Sequence, residues 1–261
     1  MAEHWFTASP DTYPGLIRQT DRFPINTLFA RSVLTGDAEG VVYQNRETEP
    51  TAWYLVHAYG MSLLFGGTAD AAFQAALAAH WQALRKDEWL QAYPDFWHGF
   101  LRGLAVKGFA HEYGRVNFTF DERVFRAHAK PSPYEISRTP VALLASLAGR
   151  VVPRDFWKPE LLHKCVAYTV YVDGIPASTA FAAYIHGNVL EIGIETREAY
   201  RGKGLAELSS RALIDYCLEN DCTPDWSCLD RNAGSLALAR KLGFVPVPGH
   251  IPYYHFPASA E

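Results

Sequence analysis

The stretch Glu191-Ile-Gly-Ile-Glu195-Thr-Arg-Glu-Ala-Tyr200-Arg-Gly-Lys-Gly204-Leu-Ala206 constrains this chain more than any other. A β-forming run ends in a glycine-rich turn, and the turn opens onto a helical pattern. In that helix Leu205, Leu208, Ser209, Ala212, Leu213, Tyr216 and Cys217 recur at the three-four spacing of one buried face, with Glu207, Arg211, Asp215 and Glu219 mostly outside it. A strand that hands over to a helix through glycines aims the first backbone N–H groups, and the positive end of the helix dipole, at the space above the turn. Gly202 and Gly204 accept positive φ and put no side chain in that space. Arg201 and Lys203 add positive charge. A phosphate or pyrophosphate suits such a cradle; a tight turn that only caps a packed helix fits the same residues.

Composition narrows the classes of function. The chain has 261 residues, enough for one large domain or two of ordinary size, and about half are apolar, with seven tryptophans. No apolar stretch is long enough to span a bilayer, and Met-Ala-Glu-His-Trp-Phe lacks the pattern of a secretory signal, so a cytoplasmic protein is expected. A net charge of −4 argues against nucleic acid or an anionic membrane as partner. Cys165, Cys217, Cys222 and Cys228 match no zinc spacing, and Cys217 falls on the buried stripe; reduced thiols and no metal are expected.

Strand patterns occur at 40–44 and at 52–59, the latter running on towards Leu64-Phe65. Phe73, Ala76, Leu77, His80, Trp81 and Leu84 predict a helix, a second is predicted from Pro94, and a strand at 117–120. Leu63-Leu-Phe-Gly66-Gly67-Thr68 repeats the order of strand, glycines and helix. Asp70 would repel a phosphate there and no Arg or Lys is adjacent, so this reads as a structural turn with Thr68 as N-cap. Lys130-Pro-Ser-Pro133 punctuates the chain, placing domains at 1–129 and 130–261. Beyond it a strand is predicted at 134–137, a helix at 141–147, strands at 164–172 and 177–184 turning at Asp173-Gly174, a central strand at 190–196 and another at 225–229.

Arg201-x-x-Gly204-x-Ala206 resembles the R/Q-x-x-G-x-G/A signature of the GNAT acyl-CoA N-acetyltransferases. Asn232-x-x-Ser235-x-x-Leu-Ala239-x-Lys241-Leu-Gly243-Phe244 is similar to that superfamily's second motif, one helix and one strand further on. Ile194-Glu195-Thr196 and Pro224-x-Trp226-x-Cys228 look like a bacterial branch whose members carry an additional N-terminal domain. The resemblance covers about residues 130 to 256. It implies an α+β fold: a GNAT-like mixed central β-sheet flanked by helices, preceded by a smaller α/β N-terminal domain, for which the repeated order of strand, glycines and helix at 63–68 fits a degenerate copy of the second. It also implies acetyl-CoA as cosubstrate and a small-molecule amine as acceptor, and leaves a homodimer open. Arg201, Gly202, Lys203, Gly204, Leu205 and Ala206 would hold the pyrophosphate, and Ile194 and Thr196 would pair with the pantetheine arm. Asn232 and Ser235 would lie beside that arm, while Asn232 equally suits the N-cap of its helix.

Transfer of an acetyl group to an amine needs a free-base nucleophile, a polarised carbonyl and a protonated leaving thiolate. An alkyl amine with a pKa near ~10 is about one part in a thousand free base at pH 7, so a positioned base helps. Glu195, late in the central strand, is the residue expected in that role; a solvated or salt-bridged strand-end carboxylate is the alternative. Glu191 shares its face unless a bulge, expected near Gly193, flips the parity. Many superfamily members place an acidic tyrosine where this chain has Ala239, which leaves Cys228, Tyr253 or Tyr254 as substitutes, or an unassisted thiolate. It also leaves open a CoA-binding sensor or scaffold without turnover, or a transferase using a different acyl donor.

Overall fold

Aromatic and β-branched runs in the first half build the strands of one sheet, with helices on the connections. The structure, a computed structural model, describes residues 5–67, 70–128 and 131–259. Two units divide the chain: Met1–Arg115 with His250–Glu261, and Val116–Gly249. The expected boundary lay fourteen residues later, at 129/130, and the C-terminal segment was assigned to the second domain. Among the described residues, no helix is long and apolar enough to cross a membrane.

In the first unit β1 (Phe6–Thr7), α1 (Tyr13–Thr20) and α2 (Leu28–Leu34) precede β2 (Gly40–Gln44), β3 (Ala52–His57) and β4 (Met61–Gly66). The run predicted to continue from Ala52 to Phe65 is a hairpin instead, because the chain reverses at Gly60 with φ +98°. Next come α3 (Ala71–Gln82), β5 (Glu88–Tyr93), α4 (Trp97–Val106) and β6 (His111–Phe120). Helix α3 buries Phe73, Leu77 and Trp81 at four-residue spacing, the predicted stripe. Its N-cap is Asp70, whose carboxylate accepts from Ala72 N and Phe73 N; Thr68, the expected cap, lies outside the described residues. Through α3 the strands β4 and β5 run parallel.

The second unit begins inside β6 and continues through α5 (Glu122–Ala127), β7 (Glu135–Arg138) and α6 (Val141–Ser146). Strands β8 (Ala167–Val172) and β9 (Ile175–His186) form a hairpin on Asp173-Gly174, whose φ values of +52° and +75° are those of a tight primed turn. Then follow β10 (Val189–Thr196), α7 (Leu205–Glu219), β11 (Thr223–Asp225), β12 (Ser227–Leu229), α8 (Ala233–Lys241) and β13 (Phe244–Pro246). Five of these strands form a sheet in the order β11-β10-β9-β8-β7, and β13 pairs with the second half of β6. Helix α7 connects β10 to β11 in parallel, the same strand–helix–strand arrangement as β4–α3–β5. Leu205, Leu213, Ile214 and Cys217 bury its inner face.

The chain then returns to the first unit. Strand β14 (Ile251–Phe256) lies between β5 and β6, antiparallel to both. Tyr254 and Phe256 enter the core beside Trp81, Trp97 and Leu101, with Phe256 stacked on Trp81 at 4.3 Å.

Candidate active site

The turn after β10 winds through a short 3-10 segment at Glu198–Tyr200 and reaches α7 at Gly204. Gly202 and Gly204 have φ of +77° and +76°, and a Cβ on either would meet nothing within 4 Å. Glycine is thus required by the backbone conformation, and the space above the turn is open. No side chain caps α7; Glu207 N and Leu208 N turn back to the Gly204 carbonyl at 3.2 and 3.4 Å, and the N–H groups of Leu205 and Ala206, ahead of them, face that space. Leu205 is buried beneath the turn, and the Lys203 ammonium lies over the Tyr200 ring at 5.2 Å.

The analogous turn of the first unit is filled. Asp70 supplies the anion to the amides of α3 at 3.1 and 3.2 Å, and a Cβ on Gly66 would lie 2.4 Å from Thr51 O and 2.8 Å from the Trp53 ring. Its two parallel strands also stay together, in register from Met61↔Trp89 to Phe65↔Tyr93. In the second unit the pairing of β10 with β11 stops after Val189↔Thr223, Leu190↔Pro224 and Glu191↔Asp225. Trp226 interrupts the partner strand there: its ring is 2% exposed, packs 5.5 Å from Phe244 and donates its indole N–H to Ser235 Oγ at 3.0 Å. Beyond this wedge lies a cleft of about 580 Å³, bounded by Ile192–Thr196 on one side, Trp226–Leu229 on the other and the glycine turn at its mouth.

Arg197 N donates to Ala177 O, which sets the phase of the β9–β10 ladder. By alternation the N–H and C=O groups of Ile194 and Thr196 point away from β9, towards the cleft. The Thr196 carbonyl accepts from Arg201 Nε at 3.2 Å, and its hydroxyl lies 2.8 Å from Ser178 Oγ. Ile194, Thr196, Arg201, Gly202, Gly204, Leu205, Ala206, Cys228, Asn232 and Ser235 all line the cleft. Asn232 is the N-cap of α8, accepting from Ser235 N at 3.1 Å.

Glu195 reaches the cleft with its carboxylate engaged. Oε2 accepts from Arg150 N at 2.8 Å and Val151 N at 3.0 Å, while Oε1 lies 3.4 Å from the Arg201 guanidinium. The loop is shaped around this side chain, since a Cβ on Gly149 would sit 2.4 Å from Glu195 Cγ. A carboxylate whose lone pairs hold two amides and an arginine is a clamp on the 149–151 loop and on Arg201. Glu191 is 7% exposed and accepts from Ser227 Oγ at 2.6 Å. The register shift falls between Glu191 and Ile192, and the surplus residue is Ala183 on β9, not Gly193. Strand β10 therefore keeps its alternation, and Glu191 and Glu195 share a face.

Ala239 is fully buried and brings no acid to the cleft. Of the substitutes, Cys228 lines the cleft, whereas Tyr253 and Tyr254 belong to the first unit and do not. The Tyr254 hydroxyl lies 3.2 Å from His98 Nδ1, and burial raises its pKa, which makes it a weaker acid still. The thiols of Cys165 and Cys217 are pushed up to about 12 by burial and are inert packing groups. Among the described residues no group of three or more His, Cys, Asp or Glu is placed to hold a metal ion. The sequence reading missed the Gly149–Val151 loop, which carries no motif, and Ser227, hidden between Trp226 and Cys228.

A glycine-bounded helix N-terminus beside parallel strands that part agrees with the GNAT fold that the sequence resemblance implied. The chain belongs to the GNAT acetyltransferase family, which matches it over residues 23–250 and so takes in most of the first unit as well. A protein of Bacillus subtilis (strain 168) named uncharacterized N-acetyltransferase YdfB is 24% identical over 234 residues, 87% of this chain and 89% of its own. Among solved structures, a GCN5-related N-acetyltransferase-like protein from Streptococcus suis 89/1591 shares the fold at a TM-score of 0.70 and 19% identity, covering 95% of this chain and 99% of its own. A tandem GNAT protein from the clavulanic acid biosynthesis pathway does so at 0.61 and 12%, over 98% and 99%.

Proposed function

We propose that the chain transfers an acetyl group from acetyl-CoA to the amine of a small molecule by direct attack, in the cleft of the second unit. The observation that carries this reading is the contrast between the two units. One has an open helix N-terminus and parted strands; the other has its amides capped by Asp70 and its strands zipped. The diphosphate of the cosubstrate would take the amides from Gly202 to Ala206, with Arg201 and Lys203 nearby. The pantetheine arm would add as a strand to the cleft-facing edge of β10 at Ile194 and Thr196, whose N–H groups can also polarise the thioester oxygen. The name of the Bacillus subtilis relative agrees with nitrogen as the acceptor atom.

A thiol is acidic enough, near ~8.5, to leave as a thiolate near neutral pH, so Ala239 in place of a tyrosine is compatible with turnover. An acidic net charge of −4 favours a small acceptor over nucleic acid. The test is thiol release from acetyl-CoA and from longer acyl-CoA thioesters against a panel of amines, beside calorimetric titration with CoA. Release with at least one amine, fastest from acetyl-CoA, is the expected result. Binding without release from any thioester would leave a sensor; no binding would end the reading.

A further inference from the structure

We propose that Ser227 takes the proton from the attacking amine and passes its own to Glu191 behind it. The proposal rests on the transferase reading above and deepens it. The cleft has a direction. Its mouth is the glycine turn, and its apex is where Glu191↔Asp225 closes the pairing of β10 with β11. An arm lying along β10 from Thr196 to Ile192 covers about 13 Å and ends at that apex. Glu195 sits at the opposite end, tied to Arg201 of the turn and to the 149–151 loop. Ser227 opens β12 on the far wall, lines the cleft, and donates to Glu191 Oε1 at 2.6 Å. Glu191 itself is 7% exposed and does not line the cleft, so the serine hydroxyl is what it presents to a substrate.

The step balances as follows. The lone pair of the neutral amine forms a C–N bond to the thioester carbonyl carbon, giving a tetrahedral adduct with a positive nitrogen. That nitrogen loses a proton to Ser227 Oγ while the Ser227 proton moves along its hydrogen bond to Glu191. The C–S bond then breaks with its electron pair on sulfur. Water protonates the thiolate, and the hydroxide so formed takes the proton back from Glu191. Amide and free thiol leave, and both side chains end as they began. A serine backed by a buried carboxylate is a base that an amine can reach without a charged group exposed in the cleft.

Ser227→Ala, Glu191→Gln and Glu195→Gln are compared with the full-length protein for thiol release, CoA binding and thermal unfolding. The expected result is a fall in kcat of about 100-fold or more for Ser227→Ala and for Glu191→Gln. CoA affinity should stay within about threefold of wild type, since neither group belongs to the phosphate cradle. The double variant should be no slower than the worse single variant, because the two act in one relay. Loss of the low-pH limb of kcat/KM in Glu191→Gln separates proton transfer from a structural role. Ser227→Thr, which keeps the hydroxyl, should recover most of the rate. Full activity in Ser227→Ala, or the large fall appearing only in Glu195→Gln, overturns the relay and leaves the transferase reading intact. A wild-type protein that binds CoA and releases thiol with no amine overturns both.

Discussion

Replacing Gly204 by alanine separates what the glycine does for the fold from what it does for the ligand. At φ +76° an alanine adopts the left-handed region at a cost of about 1–2 kcal/mol, and its Cβ meets no protein atom within 4 Å. Stability should therefore drop by that amount alone, a fall in Tm of about 2–8 °C. Binding should suffer more, because the added methyl stands where phosphate oxygens approach the amides. Displacing two charge-assisted N–H bonds at about 1.5–3 kcal/mol each weakens CoA by roughly 100- to 10,000-fold. Gly174→Ala is the matched control: φ is +75°, its Cβ also meets nothing, and it sits in the β8–β9 turn away from the cleft. Both variants should melt alike by scanning calorimetry, and only Gly204→Ala should lose CoA in a titration. Equal, undiminished affinity in two folded variants would refute the assignment of the turn.

Other expectations follow from features outside the turn. Gly149→Ala forces a Cβ to 2.4 Å from Glu195 Cγ, so the clamp must open; urea unfolding should show a loss of about 1–3 kcal/mol, and an unchanged midpoint would mean the loop is not held by Glu195. A chain ending at Gly249 lacks β14 and with it the buried Tyr254 and Phe256, a loss of more than about 5 kcal/mol; the tryptophan near-UV signal from Trp81 and Trp97 should collapse. Burial, with Lys86 nearby adding to it, lowers the pKa of His57 from 6.5 to about 4. Between those values the unfolded chain binds a proton that the folded one does not, so stability falls as pH drops through that window, by up to about 3 kcal/mol. His57→Asn should flatten that slope in urea midpoints measured from pH 7 to 4, and an unaltered slope would exonerate the histidine.

Features decided by neighbours in sequence were legible beforehand. The glycine turn, the buried stripe of α7, the Asp173-Gly174 hairpin and the N-cap at Asn232 each depend on residues within a turn or two of one another. What stayed hidden depends on partners far along the chain. Glu195 reads as a candidate base at a strand end, and nothing nearby in sequence shows that the loop 45 residues earlier closes on its carboxylate. A serine between two conspicuous residues has no periodicity to betray that it reaches Glu191 across the sheet. The bulge was expected on the glycine-bearing strand, yet the register is set by pairing, and the surplus residue fell on β9. Punctuation by prolines at 131–133 marks a loop, whereas the division of the chain falls inside β6, of whose ten residues only 117–120 read as strand.

The return of β14 to the first unit ties assembly to the order of synthesis. Residues up to Tyr113 emerge from the ribosome well before Ile251–Phe256, so β5 and β6 must wait, edges bare, for the strand that joins them. A nascent chain stalled anywhere before that point carries an incomplete sheet and an open hydrophobic seam, which makes unfinished copies natural clients for chaperones and proteases.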